Sequence, residues 1–219
     1  MEILFLSKKK AVNFLAHAPL QGNNDKILLG IFIADAVKGK QWEKYETEIQ
    51  VGIRLHRQID TYTDKHPIVK RSVNRIRDDY GRYSGVVMDI YYDHFLAKNW
   101  NLYHPATLDS FSQHVYKILT KRFLILPDRT KRMLPFLIAQ NWLKSYAKFP
   151  GLERVFQGMD RRTRLLSGMS DAVISLEKNY EELKKDFTIF YPELQSFSKD
   201  VLGEILANNI ENHSLKSKV

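Results

Sequence analysis

The sequence predicts an all-α protein that folds as a single-domain helical bundle. Ten glycines and seven prolines occur in 219 residues, and they fall between segments with helical periodicity. The alternation of polar and apolar residues that marks a β-strand is hard to find. A chain of this length buries a sizeable core without disulfide bonds, so one domain is expected rather than two.

Apolar periodicity places helices in seven segments joined by short connections. These segments are residues 26–38, 46–63, 68–79, 84–100, 107–123, 130–147 and 171–189. The domain is expected to span residues 12–200, with residues 1–11 and 201–219 as peripheral ends. The first of these ends lacks an obvious place in the core, and the second finishes in a polar stretch.

The helix expected at residues 26–38 is apolar on all sides, and Asp35 is its only acid. Gly39 is a suitable C-terminal stop. An ionised carboxylate in apolar surroundings is costly unless it is paired, protonated or bound to a metal. Asp35 therefore requires a partner.

The helix expected at residues 46–63 begins with Thr47 and Gln50, which have the spacing of a capping box. At about 100° per residue, His56 and Asp60 fall inside the apolar arc of this helix. The rest of that arc is Ile49, Val51, Gly52, Ile53, Leu55, Ile59 and Tyr62. A histidine and an aspartate one turn apart are thus expected to point inward.

The helix expected at residues 84–100 is apolar almost all round, which indicates a central position. Asp89 and Asp93 nevertheless lie one turn apart on its apolar arc, and His94 projects beside them. Any one inward acid or histidine is as readily a structural residue that caps a helix or pairs with an arginine. Five such residues on three helices favour a function.

Four inward acids close together would repel one another unless cations neutralise them, so the pattern predicts a divalent metal site. The chain has no cysteine, which excludes disulfides, thiolate nucleophiles, iron–sulfur clusters and cysteine zinc sites. Carboxylate and imidazole ligands suit manganese, magnesium, iron or zinc, and the number of carboxylates favours manganese or magnesium.

The formal net charge of +9 favours acidic partners, which include nucleic acid, an anionic membrane and an acidic protein. The basic residues occur in short groups rather than in one long tract, which is typical of a solvated face. The longest apolar stretch, "ILLGIFIADAV", is too short to span a membrane. The first residues do not have the order of a signal peptide, so a cytoplasmic protein with no membrane partner is expected.

Seven segments in a fixed order carry a resemblance to a known family. They are "NFLAH" (13–17), "LLGIFIADAVKG" (28–39), "VGIRLHRQIDTYTDKHP" (51–67), "DIYYDHFLAKNW" (89–100), "ILPD" (125–128), "WLKSY" (142–146) and "GMDRRTR" (158–164). Together they resemble the bacterial acyl carrier protein phosphodiesterases over roughly residues 12–195. The resemblance implies a fold similar to that of the all-helical HD-domain phosphohydrolases.

The activity implied by the resemblance is metal-dependent, usually manganese-dependent, removal of the 4′-phosphopantetheine arm from holo acyl carrier protein, which leaves the apo carrier protein. Asp35 matches an aspartate expected to be essential in this family. His56 and Asp60 match its "HrxxD" motif, whereas Asp93 and His94 stand in the reverse of the usual order of the HD dyad. Magnesium or iron is the alternative to manganese.

The sequence and the resemblance together give each candidate site residue an expected role. The predicted metal ligands are Asp35, His56, Asp60, Asp89 and Asp93. Asp35 is also expected to be catalytic, and His17 or His94 is expected to handle protons or orient the phosphate. Arg54 and Arg57, on the solvated face of the 46–63 helix, are expected to contact the acidic carrier protein, towards which the positive charge would steer the enzyme.

Two alternatives stay open at this point. An HD-type phosphohydrolase that acts on a nucleotide or another small phosphodiester would have a similar metal site, although the sequence has no Gly-rich phosphate loop. A basic helical nucleic-acid-binding protein is an alternative of another class, and it would bind DNA or RNA in a salt-dependent way without a tightly bound metal. Nucleic acid is the less favoured partner, and the sequence does not determine the oligomeric state.

Overall fold

The computed structural model describes Leu15, residues 24–163 and residues 165–216. Throughout these residues the regular elements are helical, which confirms the predicted all-α class. The buried apolar side chains form one core cluster. The α-helices are α1 (Asp25–Ile33), α2 (Thr47–Lys65), α3 (Pro67–Arg75), α4 (Arg77–Tyr80), α5 (Ser84–Lys98), α6 (Leu108–Lys121), α7 (Asp128–Ala139), α8 (Trp142–Ser145), α9 (Phe149–Arg162), α10 (Ala172–Lys178) and α11 (Tyr180–Lys216).

Several predictions of helix position are wrong. The helix expected at 26–38 ends at Ile33 and is followed by a 3-10 turn, so Gly39 is not its C-terminal stop. The helices expected at 68–79 and 130–147 are each divided in two, between α3 and α4 and between α7 and α8.

The C-terminal helices also differ from the prediction. The sequence does not predict helix α9. Pro150 lies in the first turn of this helix, where a proline disrupts none of the helical hydrogen bonds. The segment predicted as one helix at residues 171–189 is divided at Asn179 between α10 and α11. Helix α11 then continues through Pro192, a residue that normally indicates a helix end.

The long helix α11 also passes residue 200, the edge that the sequence predicts for the domain. Val201 and Ile205 are buried in the core, at 8% and 4% exposure. They lie one helical turn apart, so one face of this part of α11 packs inward. The C-terminal helix therefore contributes to the core beyond the predicted boundary.

The start of α2 differs from the predicted capping box. Thr47 is the first residue of the helix, and the cap position is Glu46, whose side chain makes no capping hydrogen bond. The side-chain amide of Gln50 instead donates to the carbonyl oxygens of Glu43 (3.0 Å) and Tyr45 (2.7 Å). Gln50 thus ties α2 to the segment before it, which contains a 3-10 helix (Gly39–Lys44).

Helices α1 and α2 cross at a pair of glycines. A Cβ atom on Gly30 would lie 2.9 Å from the Cα of Gly52 and 2.2 Å from the carbonyl oxygen of Ile49. A Cβ atom on Gly52 would lie 2.1 Å from the carbonyl oxygen of Ile27. Since no side chain fits at either position, the two backbones are in direct contact. This close crossing sets the position of the end of α1 relative to α2.

Helix α5 is central, as its sequence predicts, with 11 of its 15 residues buried. Helix α11 packs beside it through aromatic rings, such as Tyr92 against Phe187 at 5.5 Å between ring centroids. The buried carboxylate of Asp186 on α11 forms an ion pair with Arg71 and accepts a hydrogen bond from Ser72, both on α3. These contacts join three helices around the core.

No helix in the part of the chain that the structure describes combines the length and the apolar character that crossing a membrane requires.

Candidate metal centre

Asp35, His56 and Asp60 come together at one place. The Nε2 atom of His56 lies 3.4 Å from Oδ1 of Asp35 and 3.6 Å from Oδ2 of Asp60. One ligand atom from each of the three side chains lies within 4.8 Å of the others. The imidazole is buried, with 4% of its side chain exposed, whereas the carboxylates of Asp35 and Asp60 are 20% and 19% exposed. The cluster is therefore closed on the histidine side and open on the carboxylate side.

The helical backbone explains part of this arrangement. His56 and Asp60 are four residues apart on α2, so they lie one above the other on the same face. Asp35 reaches them from a 3-10 turn (Ala34–Ala36) that follows α1 directly. The crossing of Gly30 over Gly52 brings that turn to α2.

Arg57 holds the segment that follows Asp35. Its guanidinium group donates to the carbonyl oxygens of Val37 (2.9 Å) and Gly39 (3.1 Å). Gly39 has a φ of +53°, a left-handed conformation that glycine adopts without strain. Arg57 and the turn at Gly39 together position the backbone beside the cluster.

A cleft of about 630 Å³ opens beside Ala36, the residue that follows Asp35, and its lining does not include the three residues of the cluster. Ala36 and Val37 form one wall, and the residues from Leu124 to Arg129 form the other. Arg129 is close enough to Asp35 for the carboxylate to affect its titration. Burial lowers the pKa of Arg129, and the charge of Asp35 raises it.

Arg129 is a candidate functional residue that is not among the sites predicted from the sequence. Arg129 immediately follows the "ILPD" segment (125–128), one of the segments that carry the family resemblance. This position is the one feature of the sequence that could have indicated a functional role for Arg129. The charge pattern of its own helix does not distinguish Arg129 from Lys131 or Arg132, which are near it in the sequence. Arg129 and Lys131 both line the cleft, and burial lowers the pKa of Arg129 while the charge of Asp35 raises it.

The structure does not place Asp89 and Asp93 in the three-residue cluster. Asp89 lines a different cleft of about 480 Å³, together with Asp64 and the basic side chains of Lys70, Arg77 and Arg82. Asp93 is fully buried. Burial raises the pKa of Tyr146 and Tyr191, and the nearby charge of Asp93 raises both further. The role of Asp89 and Asp93 as metal ligands stays a prediction.

His94 lies in an aromatic part of the core. Its Nδ1 donates to the carbonyl oxygen of Tyr146 (2.8 Å), and its Nε2 lies 3.5 Å from the hydroxyl of Tyr180. The ring stacks on Phe149 at 5.2 Å between centroids. Burial lowers the pKa of His94 to about 4, which keeps the imidazole neutral at pH 7. These contacts are those of a structural histidine, and the predicted catalytic role of His94 stays a prediction.

Three predicted site residues remain, namely His17, Arg54 and Arg57. His17 lies outside the described residues. Arg54 donates to the side-chain oxygen of Asn209 on α11 at 3.4 Å, and Arg57 bonds to the backbone beside Asp35 as described above. Both guanidinium groups thus have partners within the chain, and their predicted contact with a carrier protein stays a prediction.

The fold and the site thus define a helical protein with a candidate site for a divalent cation, formed by two carboxylates and an imidazole. The comparison with known sequences is more specific. The chain belongs to the acyl carrier protein phosphodiesterase family, whose sequence model matches residues 12–194.

Curated relatives carry the same name. The acyl carrier protein phosphodiesterase of Yersinia enterocolitica is 34% identical over 190 residues, which cover 86% of this chain and 98% of that protein. Those of Yersinia pestis and Photorhabdus laumondii are each 35% identical and cover 84% and 83% of this chain, and 95% and 92% of their own lengths. No solved structure has significant similarity to the chain, so the resemblance to HD-domain phosphohydrolases stays a prediction.

Proposed function

We propose that the protein is a cytoplasmic, metal-dependent hydrolase that cleaves the phosphodiester between 4′-phosphopantetheine and the serine of holo acyl carrier protein, releasing the apo carrier protein. The observation that carries the proposal is the cluster of Asp35, His56 and Asp60, in a chain whose relatives are named acyl carrier protein phosphodiesterases. The residues that follow Asp35, Ala36 and Val37, line a cleft.

The donor set fits a divalent metal ion. Two carboxylates and one imidazole are hard or borderline ligands, and their negative charge would be balanced by a dication. Manganese is the proposed ion, with magnesium or iron as alternatives. When bound, such an ion supplies Lewis-acid polarisation of the phosphoryl group and lowers the pKa of a water molecule.

The side chains around the cluster would handle the substrate. A phosphodiester carries a negative charge that repels nucleophiles, and the guanidinium of Arg129 would neutralise that charge beside Asp35. Lys44 lines the same cleft and adds a second positive charge. Arg57 would keep the Asp35 segment in place through its bonds to Val37 and Gly39.

The test is hydrolysis of purified holo acyl carrier protein, followed by intact-protein mass spectrometry. The protein is first stripped with EDTA and then supplied with manganese, magnesium or iron. We expect a metal-dependent mass loss of one phosphopantetheine arm, with no change in apo carrier protein. An unchanged mass with every metal would contradict the proposal. Turnover of small phosphodiesters alone would favour the alternative of a small-molecule phosphohydrolase.

A further inference from the structure

An exposed apolar turn stands at the mouth of the cleft. It is a 3-10 helix between α6 and α7, Phe123–Ile125. Leu124 is 87% exposed, and its neighbours Phe123 and Ile125 are 42% and 39% exposed. Isolated exposed apolar residues are common on protein surfaces, but three in succession on one turn form a patch, which is typical of an interaction site.

The turn shares a cleft with the segment that follows Asp35. Leu124 and Ile125 line the same cleft as Val37, which is two residues after Asp35. Arg129 lines this cleft as well. A molecule that contacts this turn therefore lies across the cleft from the segment that follows Asp35.

The surroundings of the turn are strongly basic. Residues 117–132 contain six basic residues and one acidic residue, which leaves a net charge of +5. The ammonium group of Lys131 lies over the ring of Phe123, 5.9 Å from its centroid. Arg122 is paired with Glu46 at 2.9 Å, and the cleft lining contains three basic residues, Lys44, Arg129 and Lys131, against two acidic ones, Glu46 and Asp128. An apolar centre with a charged rim is the usual anatomy of a protein interface, and the sign of this rim selects an acidic partner.

We propose that the Phe123–Ile125 turn and the basic side chains around it form the docking surface for an acidic protein that presents its prosthetic group to the cleft. The inference rests on the proposed function, in which that protein is the carrier. The scissile phosphodiester joins the arm directly to a serine of the carrier, so the body of the carrier must contact the rim of the cleft when this bond reaches the metal centre. The turn supplies apolar contact area at that rim.

The test compares Leu124→Asp with Leu102→Asp in the full chain. Leu102 is 78% exposed and also belongs to a 3-10 turn, Trp100–Leu102, but it does not line the cleft. We expect Leu124→Asp to raise KM for holo carrier protein at least about tenfold, because an interface centre is sensitive to an introduced charge that also repels an acidic partner. Leu102→Asp should match the wild type. Affinity for apo carrier protein, measured by calorimetry, should fall in parallel.

Fold and metal binding are checked on the same samples. Unfolding temperatures with EDTA and with manganese should be the same for wild type and Leu124→Asp, since the side chain is exposed. Lys121→Glu is a second variant that leaves the apolar turn intact, and its loss of affinity should be larger at low salt than at high salt.

The outcomes separate the two proposals. A wild type that fails to convert holo carrier protein contradicts the proposed function. A wild type that converts it, together with unchanged KM and affinity in both Leu124→Asp and Lys121→Glu, overturns the docking surface alone. The docking surface is also overturned if Leu124→Asp leaves carrier turnover unaffected but abolishes another interaction. Loss of binding to anionic phosphatidylglycerol vesicles would show that the turn serves a membrane, and loss of self-association would show that it serves a second copy of the chain.

Discussion

The imidazole of His56 lies 3.4 Å from the carboxylate of Asp35, although the two side chains belong to different helical segments. The same nitrogen lies 3.6 Å from Asp60, so one buried histidine faces two acids. Three groups in this arrangement offer ligands to one cation, and the repulsion between the two carboxylates would fall when it binds. The first two predictions follow from that relationship.

Manganese should stabilise the folded protein through this cluster. A ligand that binds only the folded state adds about 2.7 kcal/mol at a hundredfold excess over its Kd, which corresponds to a rise of roughly 5–10 °C in Tm for a domain of this size. Thermal unfolding is recorded with EDTA and then with manganese. In the double variant His56→Ala, Asp60→Asn the rise should shrink or vanish. An equal rise in both proteins would show that the metal is held without this pair.

Asp35→Ala should abolish metal-dependent hydrolysis of the carrier protein while leaving a folded helical protein. Loss of a ligand should lower turnover by at least about a hundredfold. The measurement combines circular dichroism with the mass assay on holo carrier protein. Asp25→Ala is the matched control, because Asp25 is an exposed acid that pairs with His114 on the surface. Unchanged turnover in a folded Asp35→Ala would remove Asp35 from the site.

Gly52→Ala should damage both stability and the metal centre. The added Cβ would meet the carbonyl oxygen of Ile27 at 2.1 Å, so α1 and α2 would have to separate. Overpacking of this kind costs about 1–3 kcal/mol and should weaken the effect of manganese on Tm. Gly158→Ala is the control, because a Cβ there meets no atom within 4 Å and alanine is favoured in a helix. Equal stability of the two variants would contradict the close crossing.

Arg57 and Arg54 should behave differently when each is replaced by alanine. Arg57→Ala loses two hydrogen bonds to the backbone beside Asp35, which should lower the free energy of unfolding by about 1–2 kcal/mol and weaken the response to manganese. Arg54→Ala should leave the manganese response unchanged. Stopped-flow association with the carrier protein at low and high salt tests the role predicted from sequence. Equal, salt-dependent slowing in both variants, with no effect on metal binding, would favour that role.

His94 should make the fold sensitive to acid. Burial lowers the pKa of His94 to about 4, from a usual value near 6.5. Between pH 4 and pH 6.5, His94 therefore binds a proton in the unfolded chain but not in the native protein. The contribution of neutral His94 to the free energy of unfolding is complete above pH 6.5. It is lost as the pH falls towards 4, by at most about 1.4 kcal/mol per pH unit. Urea unfolding across this range should show a shallower pH dependence in His94→Gln than in wild type. The exposed His114→Gln serves as the control, and identical slopes in all three proteins would contradict the assignment.

Much of the fold follows from local pattern. Helical periodicity predicts the all-α class, the central position of α5 and the inward direction of His56 and Asp60, because a period of 3.6 residues orients each side chain about its own helix axis. The same reasoning misses α9 and ends the last helix too early. Pro150 and Pro192 look like helix breakers, yet the first occupies a permitted position and core packing outweighs the cost of the second.

The composition of the site was decided by tertiary structure. The sequence determined that Asp35, His56, Asp60, Asp89 and Asp93 were candidates, but helical phase does not determine which faces meet or at what distance. The contact between Gly30 and Gly52 brings Asp35 to α2, whereas Asp93 is buried among tyrosines and Asp89 lines another cleft. Arg129 acquires its place beside Asp35 in the same way, through a fold that joins distant segments. Side-chain direction is a local property, and distance between helices depends on packing across the whole core.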